Sequence, residues 1–264
     1  MNFISYFIDT HAHLYLPEFD PDRDIVIETA VHRGVKKILL PNIDSSTIEP
    51  MNNLASRFPG VCFPMMGLHP VSVKDNFREE LDKVEWELKH GRYYGIGETG
   101  IDLYWDKSYV KEQCEAFSKQ LDLSLAYGLP VIIHARESFG EIMEILQGYR
   151  NKGLSGIFHA FTGTVHMARQ AIDMGFKLGI GGIVTYKNAH LAEIVKKTAL
   201  KDLVLETDSP YLTPVPFRGK RNESSYIPYI AETVKQIKNI PLDEVARVTT
   251  STVIELFNLD HAGI

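Results

Sequence analysis

The sequence has little cysteine and no long hydrophobic run. Only two cysteines occur among 264 residues, Cys62 in an apolar run and Cys114 in a helix-like stretch. We therefore expect no disulfide framework and a reducing compartment. The amino-terminal residues lack a basic region and reach a charge at Asp9, so we expect neither a signal peptide nor a membrane span. These absences predict a cytoplasmic protein that does not enter a membrane.

The sequence also lacks an excess of basic residues. The formal net charge is −6 at pH 7, with 28 Lys and Arg against 34 Asp and Glu. This balance argues against a protein that holds nucleic acid through a broad basic surface. It is compatible with a nucleic-acid substrate that is gripped locally by metals and a few arginines. The acidic, patch-poor sequence gives no sign of an obligate interface, so a monomer is favoured although the oligomeric state is not readable.

Short apolar runs, rich in Ile, Val, Leu, Phe and Tyr, recur eight times, as expected of buried parallel strands. The runs are SYFIDTHAH, KKILLPN, VCFPMMGLH, YYGIGETG, PVIIHAR, SGIFHAF, FKLGIGG and DLVLETD. Seven amphipathic stretches of helical length are identified around them, and several end in Gly, a common helix stop. This alternation predicts an α/β fold, a TIM-type (β/α)8 barrel, with an open doubly wound sheet as the structural alternative.

The length of the chain matches that of a single barrel. A (β/α)8 barrel needs about 250 residues, so we expect residues 1–264 to form a single domain, although length alone also allows two small ones. No linker or low-complexity segment interrupts the pattern. The segment from Leu212 to Ser225 is rich in Pro, Arg and Lys and lacks periodicity. It indicates a functional loop after the last strand.

Six of the eight runs end in residues that can bind a metal or act in catalysis. The first ends in His11 and His13, and residues two apart in an extended strand point to the same side, so both can face one point. The other five of these runs end in His69, Glu98, His134, His159 and Asp208. In a barrel, these positions lie around the rim where active sites are found.

Taken singly, each of these residues has a simpler explanation. A lone His after a strand is more often a hydrogen-bonded structural residue, and an Asp or Glu at a strand-to-helix junction is more often a helix cap. Four histidines and two carboxylates at the ends of five strands make independent structural roles implausible. The remaining histidines are expected to be solvated surface residues; they are His32, His90, His166, His190 and His261.

The ligand types constrain the metal. Mixed imidazole and carboxylate ligands suit Zn²⁺, Mn²⁺ or Fe²⁺, a carboxylate-rich site suits Mg²⁺, and the lack of a thiolate cluster argues against a structural zinc. Six ligands exceed what one tetrahedral ion needs and suit two ions about 3.5–4 Å apart. We expect two divalent cations per chain (Mg²⁺, Mn²⁺ or Zn²⁺), bridged by Glu98, since no run supplies a Lys at its carboxyl end. The predicted ligands are His11, His13, Glu98, His134, His159 and Asp208.

Six blocks of sequence resemble the signature blocks of the TatD-related metal-dependent deoxyribonucleases, in order and in spacing. They are FIDTHAHL, MGLHP, IGETGIDLYW, VIIHARES, FHAFTG and LETDSPYLTPVPFRGKRNE. The resemblance implies a metal-dependent deoxyribonuclease, often an exonuclease that trims single-stranded DNA from the 3′ end, with the same six ligands. It also implies that His69 and Arg136 are pocket residues and that the RGKRNE loop lies on the substrate side. Tyr15, where the family often has Asp or Asn, and Ser224, where it often has Pro, leave the substrate preference open.

The predicted reaction is hydrolysis of a phosphodiester by metal-activated water. Asp208 is the candidate to orient or deprotonate the water, with pure ligation as the alternative, and Glu98 is the second predicted catalytic residue. His69, the third, protonates the leaving alkoxide or hydrogen-bonds the phosphate, unless it only supports a ligand. Glu206 shares a side with Asp208 and holds either a ligand or a loop.

Three arginines are candidates for binding the substrate. Guanidinium groups bind phosphate in a bidentate way, which suits Arg136, Arg218 and Arg221, and a solvated loop is the alternative for the last two. Tyr104 and Trp105 stack on an unpaired base in one interpretation and only pack in the other.

Two other functions are compatible with such a site. A metallohydrolase that cuts an amide or ester is the main alternative, because an activated water attacks a carbonyl equally well and the fold does not decide the substrate. A non-catalytic protein on a decayed scaffold should have lost ligands, whereas all six are present.

Overall fold

The computed structural model describes residues 6–187 and 190–259, so His261 lies outside the described residues. Each of the eight apolar runs overlaps one strand. The strands are β1 (Phe7–Asp9), β2 (Val35–Pro41), β3 (Cys62–Met65), β4 (Ile96–Asp102), β5 (Val131–Arg136), β6 (Gly156–Phe158), β7 (Phe176–Ile180) and β8 (Leu203–Leu205).

Nine α-helices surround these strands in the described part of the chain. They are α1 (Arg23–His32), α2 (Ser45–Arg57), α3 (Phe77–His90), α4 (Val110–Tyr127), α5 (Phe139–Gln147), α6 (Val165–Asp173), α7 (Leu191–Lys197), α8 (Ile227–Lys238) and α9 (Leu242–Phe257). Short 3-10 helices lie at Pro17–Phe19, Pro70–Ser72, Gly182–Thr185, Leu200–Asp202 and Ser224–Tyr226. Each of the seven predicted helical stretches overlaps a helix, whereas α8 and α9 were not among the predictions. None of the helices described is both long and apolar enough to cross a bilayer.

The strands pair in parallel and follow one another in chain order. β1 to β3 form one ladder and β4 to β8 form a second. Isolated parallel bridges join the ladders at both seams, between Met66 and Ile96 and between Ala12 and Ser209. The Thr10 amide also donates to the Leu205 carbonyl at 3.0 Å, which brings β1 against β8. The predicted TIM-type α/β barrel is confirmed, because the first and last strands of an open sheet would not meet.

The barrel interior is apolar at the amino ends of the strands and polar at their carboxyl ends. Ile132, Ile157 and Val204 belong to one buried cluster with α9 residues Val253 and Phe257. The residues two positions further along those three strands are His134, His159 and Glu206. Because side chains two apart in a strand share a face, these polar groups point into the same interior, one layer above the core. The strands therefore deliver their terminal polar residues to one rim.

Local sequence explains where several helices begin and end. The Asp44 side chain accepts from the Ser46 amide at 3.0 Å and caps α2, and the Thr164 hydroxyl caps α6 by accepting from the Met167 amide. Such caps satisfy amides that have no partner within the helix. α4 ends at Gly128, whose φ of 65° lies in the left-handed region that glycine tolerates best.

Candidate metal centre

The six predicted ligands come together at the carboxyl ends of the strands, with the Glu98 carboxylate in their midst. Glu98 Oε2 lies 3.0 Å from His11 Nε2 and 3.5 Å from His13 Nε2. Glu98 Oε1 lies 2.7 Å from His134 Nδ1 and 3.2 Å from His159 Nε2. The two oxygens thus face different pairs of imidazoles. This division is what a carboxylate shared by two cations requires.

Asp208 completes the first of these groups. Its Oδ1 lies 3.8 Å from His11 Nε2 and 3.7 Å from His13 Nε2. The two histidine nitrogens are themselves only 3.1 Å apart, so both face one small volume. Potential ligand atoms of His11, His13 and Asp208 all lie within 4.8 Å of one another, as do those of His11, Glu98 and His159. The donor set therefore fits divalent cations that accept imidazole and carboxylate.

The electrostatics of the cluster centre on Glu98. Burial disfavours the charged carboxylate, but the imidazoles of His159 and His69 outweigh burial, and the pKa of Glu98 lies well below its usual range. At His11, burial and the charge of the neighbouring His159 disfavour the protonated ring and outweigh Glu98, so its pKa lies well below the usual histidine value. A buried anion is thus surrounded by nitrogens, and it must be balanced by protons or by a cation.

Two of the surrounding histidines have raised pKa values. Burial opposes the charged form of His159, but Glu98 and Glu206 outweigh burial and raise its pKa well above the usual value. Burial likewise opposes protonation of His134, and hydrogen bonds to Asp102 and Glu98 outweigh it and raise the pKa. A metal ion binds the deprotonated ring, so protons and cations compete for these nitrogens.

Asp208 is held in an unusual backbone conformation. Its φ is 58°, in the left-handed region, although it is not a glycine. Its amide donates to the His11 carbonyl at 2.8 Å, which ties the end of β8 to the end of β1. Strain of this kind costs about 1–3 kcal/mol and clusters at functional sites. Burial also raises the pKa of Asp208 to about 6, so this carboxylate can exchange a proton near neutral pH.

Asp9 joins β1 to the segment after β8 beneath the cluster. The fully buried carboxylate accepts from the amides of His11 and Thr207, at 3.2 and 2.9 Å, and from the Thr207 hydroxyl at 2.6 Å. Burial raises the pKa of Asp9 to about 7. These bonds set the position of the histidine pair relative to Asp208.

Three residues outside the predicted ligand set contact the far nitrogens of the histidines. Tyr15 Oη lies 2.8 Å from His13 Nδ1, and Asp102 Oδ2 lies 2.9 Å from His134 Nε2. Glu206 Oε1 lies 3.5 Å from His159 Nδ1. The two shorter contacts, at His13 and His134, are of the kind that orients metal-binding imidazoles and sets their tautomers.

Sequence reasoning anticipated these three contacts only in part. It assigned Glu206 to holding a ligand or a loop, and it noted Tyr15 only as a departure from the family pattern. It missed Asp102, although Asp102 lies four residues after Glu98 in one strand and hence on the same face. Strand alternation was the signal that could have found it.

His69 and Arg136 lie beside the six. His69 Nε2 is 3.3 Å from Glu98 Oε1. The Arg136 guanidinium lies over the rings of Tyr104 and Trp105, with its Cζ 3.9 and 5.2 Å from their centroids. The two aromatic side chains are half-exposed or more, at 51% and 66%. The structure thus places an arginine and two exposed aromatic rings together on the rim.

The other two arginines occupy different surroundings. Both terminal nitrogens of Arg221 contact the Asp22 carboxylate at 2.8 Å, and Nη1 also donates to the Glu18 carbonyl at 2.7 Å. Arg221 therefore makes with Asp22 the bidentate contact that was predicted with a phosphate. Arg218 is exposed and lies 4.5 Å from the Tyr186 ring centroid. The contacts of the described residues do not bring either arginine to the six ligands.

The histidines that were predicted to lie on the surface are exposed wherever the structure describes them. This set comprises His32, His90, His166 and His190. His90 stacks on Trp86 with ring centroids 4.4 Å apart. The separation of clustered from solvated histidines is confirmed for these four.

A parallel α/β barrel whose strand ends gather imidazoles around one carboxylate defines the class of metal-dependent hydrolases. The chain belongs to the family described as TatD related DNase, whose sequence model matches residues 8–258. The resemblance that the motifs indicated is thereby confirmed.

Individual relatives agree over nearly the whole chain. The metal-dependent hydrolase YabD of Bacillus subtilis is 38% identical, over 96% of this chain and 99% of its own. The metal-dependent hydrolase YcfH of Escherichia coli K12 is 31% identical over 98% of both chains. The crystal structure of YjjV, a TatD homologue from Escherichia coli K12, superposes with a TM-score of 0.90 at 27% identity and covers 96% of this chain and 98% of its own. The protein is thus a metal-dependent hydrolase of this family.

Proposed function

We propose that the protein is a divalent-metal-dependent phosphodiester hydrolase, a deoxyribonuclease that trims single-stranded DNA from the 3′ end. The proposal rests on the orientation of the Glu98 carboxylate. Its Oε2 faces His11 and His13, and its Oε1 faces His134 and His159. Two-metal sites of this kind hydrolyse phosphate esters by in-line displacement. The description of the family as DNases supports the choice of substrate.

The chain's own residues have separate tasks in this proposal. Divalent cations, when bound, lower the pKa of water and offset the charge on a phosphate. Glu98 would contribute to holding both cations, with His11, His13 and Asp208 for the first and His134 and His159 for the second. Asp208 would also orient or deprotonate the attacking water, since its carboxylate lies beside the histidine pair that would hold the first cation.

The rim beside β4 and β5 is the proposed substrate side. Arg136 supplies a positive charge there, and its neighbours Tyr104 and Trp105 expose aromatic faces. Stacking of an unpaired base on such a ring contributes about 1–3 kcal/mol and does not depend on sequence. This combination favours a single strand over a duplex, whose bases are already stacked. The two free cysteines, of which Cys62 is buried, support action in a reducing, cytoplasmic setting. The acidic, patch-poor sequence supports action as a monomer.

The proposal is tested with labelled single-stranded oligonucleotides and purified protein in Mg²⁺, Mn²⁺ or Zn²⁺. Trimming from the 3′ end produces a ladder from a 5′-labelled strand and immediate release of the label from a 3′-labelled strand. Asp208→Asn serves as the control for contaminating nucleases, and we expect it to abolish cleavage while its circular dichroism stays that of the folded protein. Cleavage by this variant near the parent rate would refute the assignment of Asp208.

A second candidate function is hydrolysis of a carboxylic ester or amide at the same centre. The observation that favours it is the engagement of Arg221 by Asp22, which removes one of three arginines expected to bind phosphate. Parallel assays with nitrophenyl esters and a nitrophenyl phosphodiester separate the two. Faster cleavage of the carboxylic esters, together with intact oligonucleotides, would replace the proposed function with this one.

A further inference from the structure

His69 differs from the other histidines at the metal centre in the way its two ring nitrogens are engaged. Its Nδ1 lies 3.1 Å from the Val71 backbone nitrogen and caps the 3-10 helix Pro70–Ser72. A backbone N–H can only donate, so Nδ1 accepts and carries no proton. The proton of the neutral ring therefore resides on Nε2, the nitrogen that faces Glu98 Oε1 at 3.3 Å.

His13 and His134 have the opposite arrangement. The Tyr15 hydroxyl donates to the Pro41 carbonyl at 2.5 Å, so its oxygen accepts the proton of His13 Nδ1 at 2.8 Å. The carboxylate of Asp102 can only accept, so it holds the proton of His134 Nε2. In each neutral ring, the lone pair is then on the nitrogen that faces Glu98. A lone pair binds a cation, whereas an N–H does not.

His69 lies toward the mouth of the cluster. Its side chain is 16% exposed and that of His134 is 15% exposed, whereas His11 is fully buried and His159 is 5% exposed. The contact of His69 with Glu98 Oε1 is long, and the same oxygen is contacted by His134 Nδ1 at 2.7 Å. The Nε2–H of His69 is thus a donor at the edge of the cluster that is available to an anionic oxygen.

We propose that His69 is a hydrogen-bond donor to a non-bridging oxygen of the substrate phosphate and is not a metal ligand. It is not a ligand although potential ligand atoms of His69, Glu98 and His134 all lie within 4.8 Å of one another. The proposal rests on the proposed function for the identity of the phosphate. The tautomer is set by the Val71 amide, so the donor is present before substrate binds. A donor that needs no reorganisation is worth more than one that must first turn toward the substrate.

Two substitutions separate the donor from the cap. In His69→Asn, the amide oxygen can accept from the Val71 amide, since Asn is among the best helix-capping residues, but no donor extends to the position of Nε2. In His69→Gln, the longer side chain places an amide N–H near the position of Nε2 and gives up the cap. If His69 only capped the 3-10 helix, His69→Gln would be the more harmful change. If His69 donates to the phosphate, His69→Asn is the more harmful change.

The measurement uses the full chain loaded with Mn²⁺ or Zn²⁺, with inorganic phosphate as the probe. Metal content is determined by elemental analysis, and phosphate affinity by calorimetric titration. We expect both variants to keep the parent metal content, His69→Asn to bind phosphate about tenfold more weakly, and His69→Gln to keep most of the affinity, since a hydrogen bond to a charged group is lost in the first case only.

Several results would overturn the proposal. Loss of bound metal in His69→Asn would make His69 a ligand, and unchanged phosphate affinity in that variant, or no phosphate binding by the parent protein, would remove the donor role. Oligonucleotide cleavage by the parent protein is measured in parallel. If the parent protein cleaves no oligonucleotide while the phosphate affinities follow the expected pattern, the proposed function fails and the donor role of His69 stands.

Discussion

At the scale of single residues, the chemistry of the centre depends on partners that lie behind the ligands. Tyr15 and Asp102 hold the far nitrogens of His13 and His134, and the Val71 amide holds that of His69. His13 and His134 thereby turn a nitrogen lone pair toward the centre, whereas His69 turns an N–H toward it. The identity of the histidines therefore says less about their role than their hydrogen bonds do.

Replacing Tyr15 with Phe tests the importance of these partners. The change leaves the buried Nδ1–H of His13 without an acceptor, so the ring loses its preferred tautomer. We expect the affinity for Zn²⁺ or Mn²⁺ to fall roughly 10–100-fold, the usual effect of losing such a partner. Metal affinity is measured by competition with a chromogenic chelator.

Tyr93→Phe is the matched control for that prediction. Tyr93 is also buried, accepts from Asn52 at 2.9 Å and donates to Glu87. Each variant should lose about 1–3 kcal/mol of stability, but only Tyr15→Phe should lose metal affinity. Equal metal affinity in the two variants would show that Tyr15 does not act on the ligand.

At the scale of elements, the spacing between β4 and β5 positions the centre. β4 carries Glu98 and Asp102, and β5 carries His134 between their side chains. Gly100 lies at the point of closest approach, where a Cβ would come within 2.0 Å of the His134 carbonyl oxygen. Its φ of 145° is also a conformation that other residues rarely adopt. A glycine is therefore required for both the pairing and the site.

We expect Gly100→Ala to disturb this pair of strands. Backbone atoms cannot yield by the distance required, so the free energy of unfolding should fall by about 1–3 kcal/mol or more, as it does on overpacking a core. Metal content should fall with it, because Glu98 and His134 move apart. Urea denaturation and elemental analysis provide the two measurements.

Gly140→Ala is the corresponding control in α5. No atom lies within 4 Å of the position of its Cβ, and the residue is helical. Alanine there should leave metal content unchanged and raise stability by up to about 1 kcal/mol, chiefly because it restricts the unfolded chain. If both alanine variants keep the parent stability and metal content, the strand spacing is less constrained than we infer.

At the scale of the whole molecule, the candidate ligands connect parts of the chain that are distant in sequence. They span residues 11 to 208 and come from both strand ladders. A cation bound between Asp208 and the His11–His13 pair would join the end of the last strand to that of the first, across a seam where pairing is limited to isolated bonds. Metal binding should therefore stabilise the whole barrel.

Removal of metal tests this coupling. Ligand at 100 times its dissociation constant stabilises a native protein by about 2.7 kcal/mol. For a domain of this size, each kcal/mol moves the midpoint of thermal unfolding by about 2–4 °C. We expect a decrease of roughly 5–10 °C on chelation, measured by calorimetry and reversed by Mn²⁺ or Zn²⁺.

Two variants show whether the effect arises at this centre. His32→Ala removes an exposed histidine and should keep the full metal-dependent shift, whereas Asp208→Asn should reduce it. The same unfolding midpoint for chelated and metal-loaded parent protein would contradict the proposed coupling.

The sequence by itself determined the barrel, its eight strands and the six residues at the centre, because these follow from local rules. Alternation of apolar runs with amphipathic stretches specifies strands and helices, and the period of two in a strand sends His11 and His13 to one side. Strand alternation places Asp102 on the face of Glu98, but only the tertiary structure decided that Asp102 contacts Nε2 of His134 and that Arg221 binds Asp22. Arg221 and Asp22 are 199 residues apart in the chain. Such contacts depend on where distant segments meet, and no local pattern encodes that meeting.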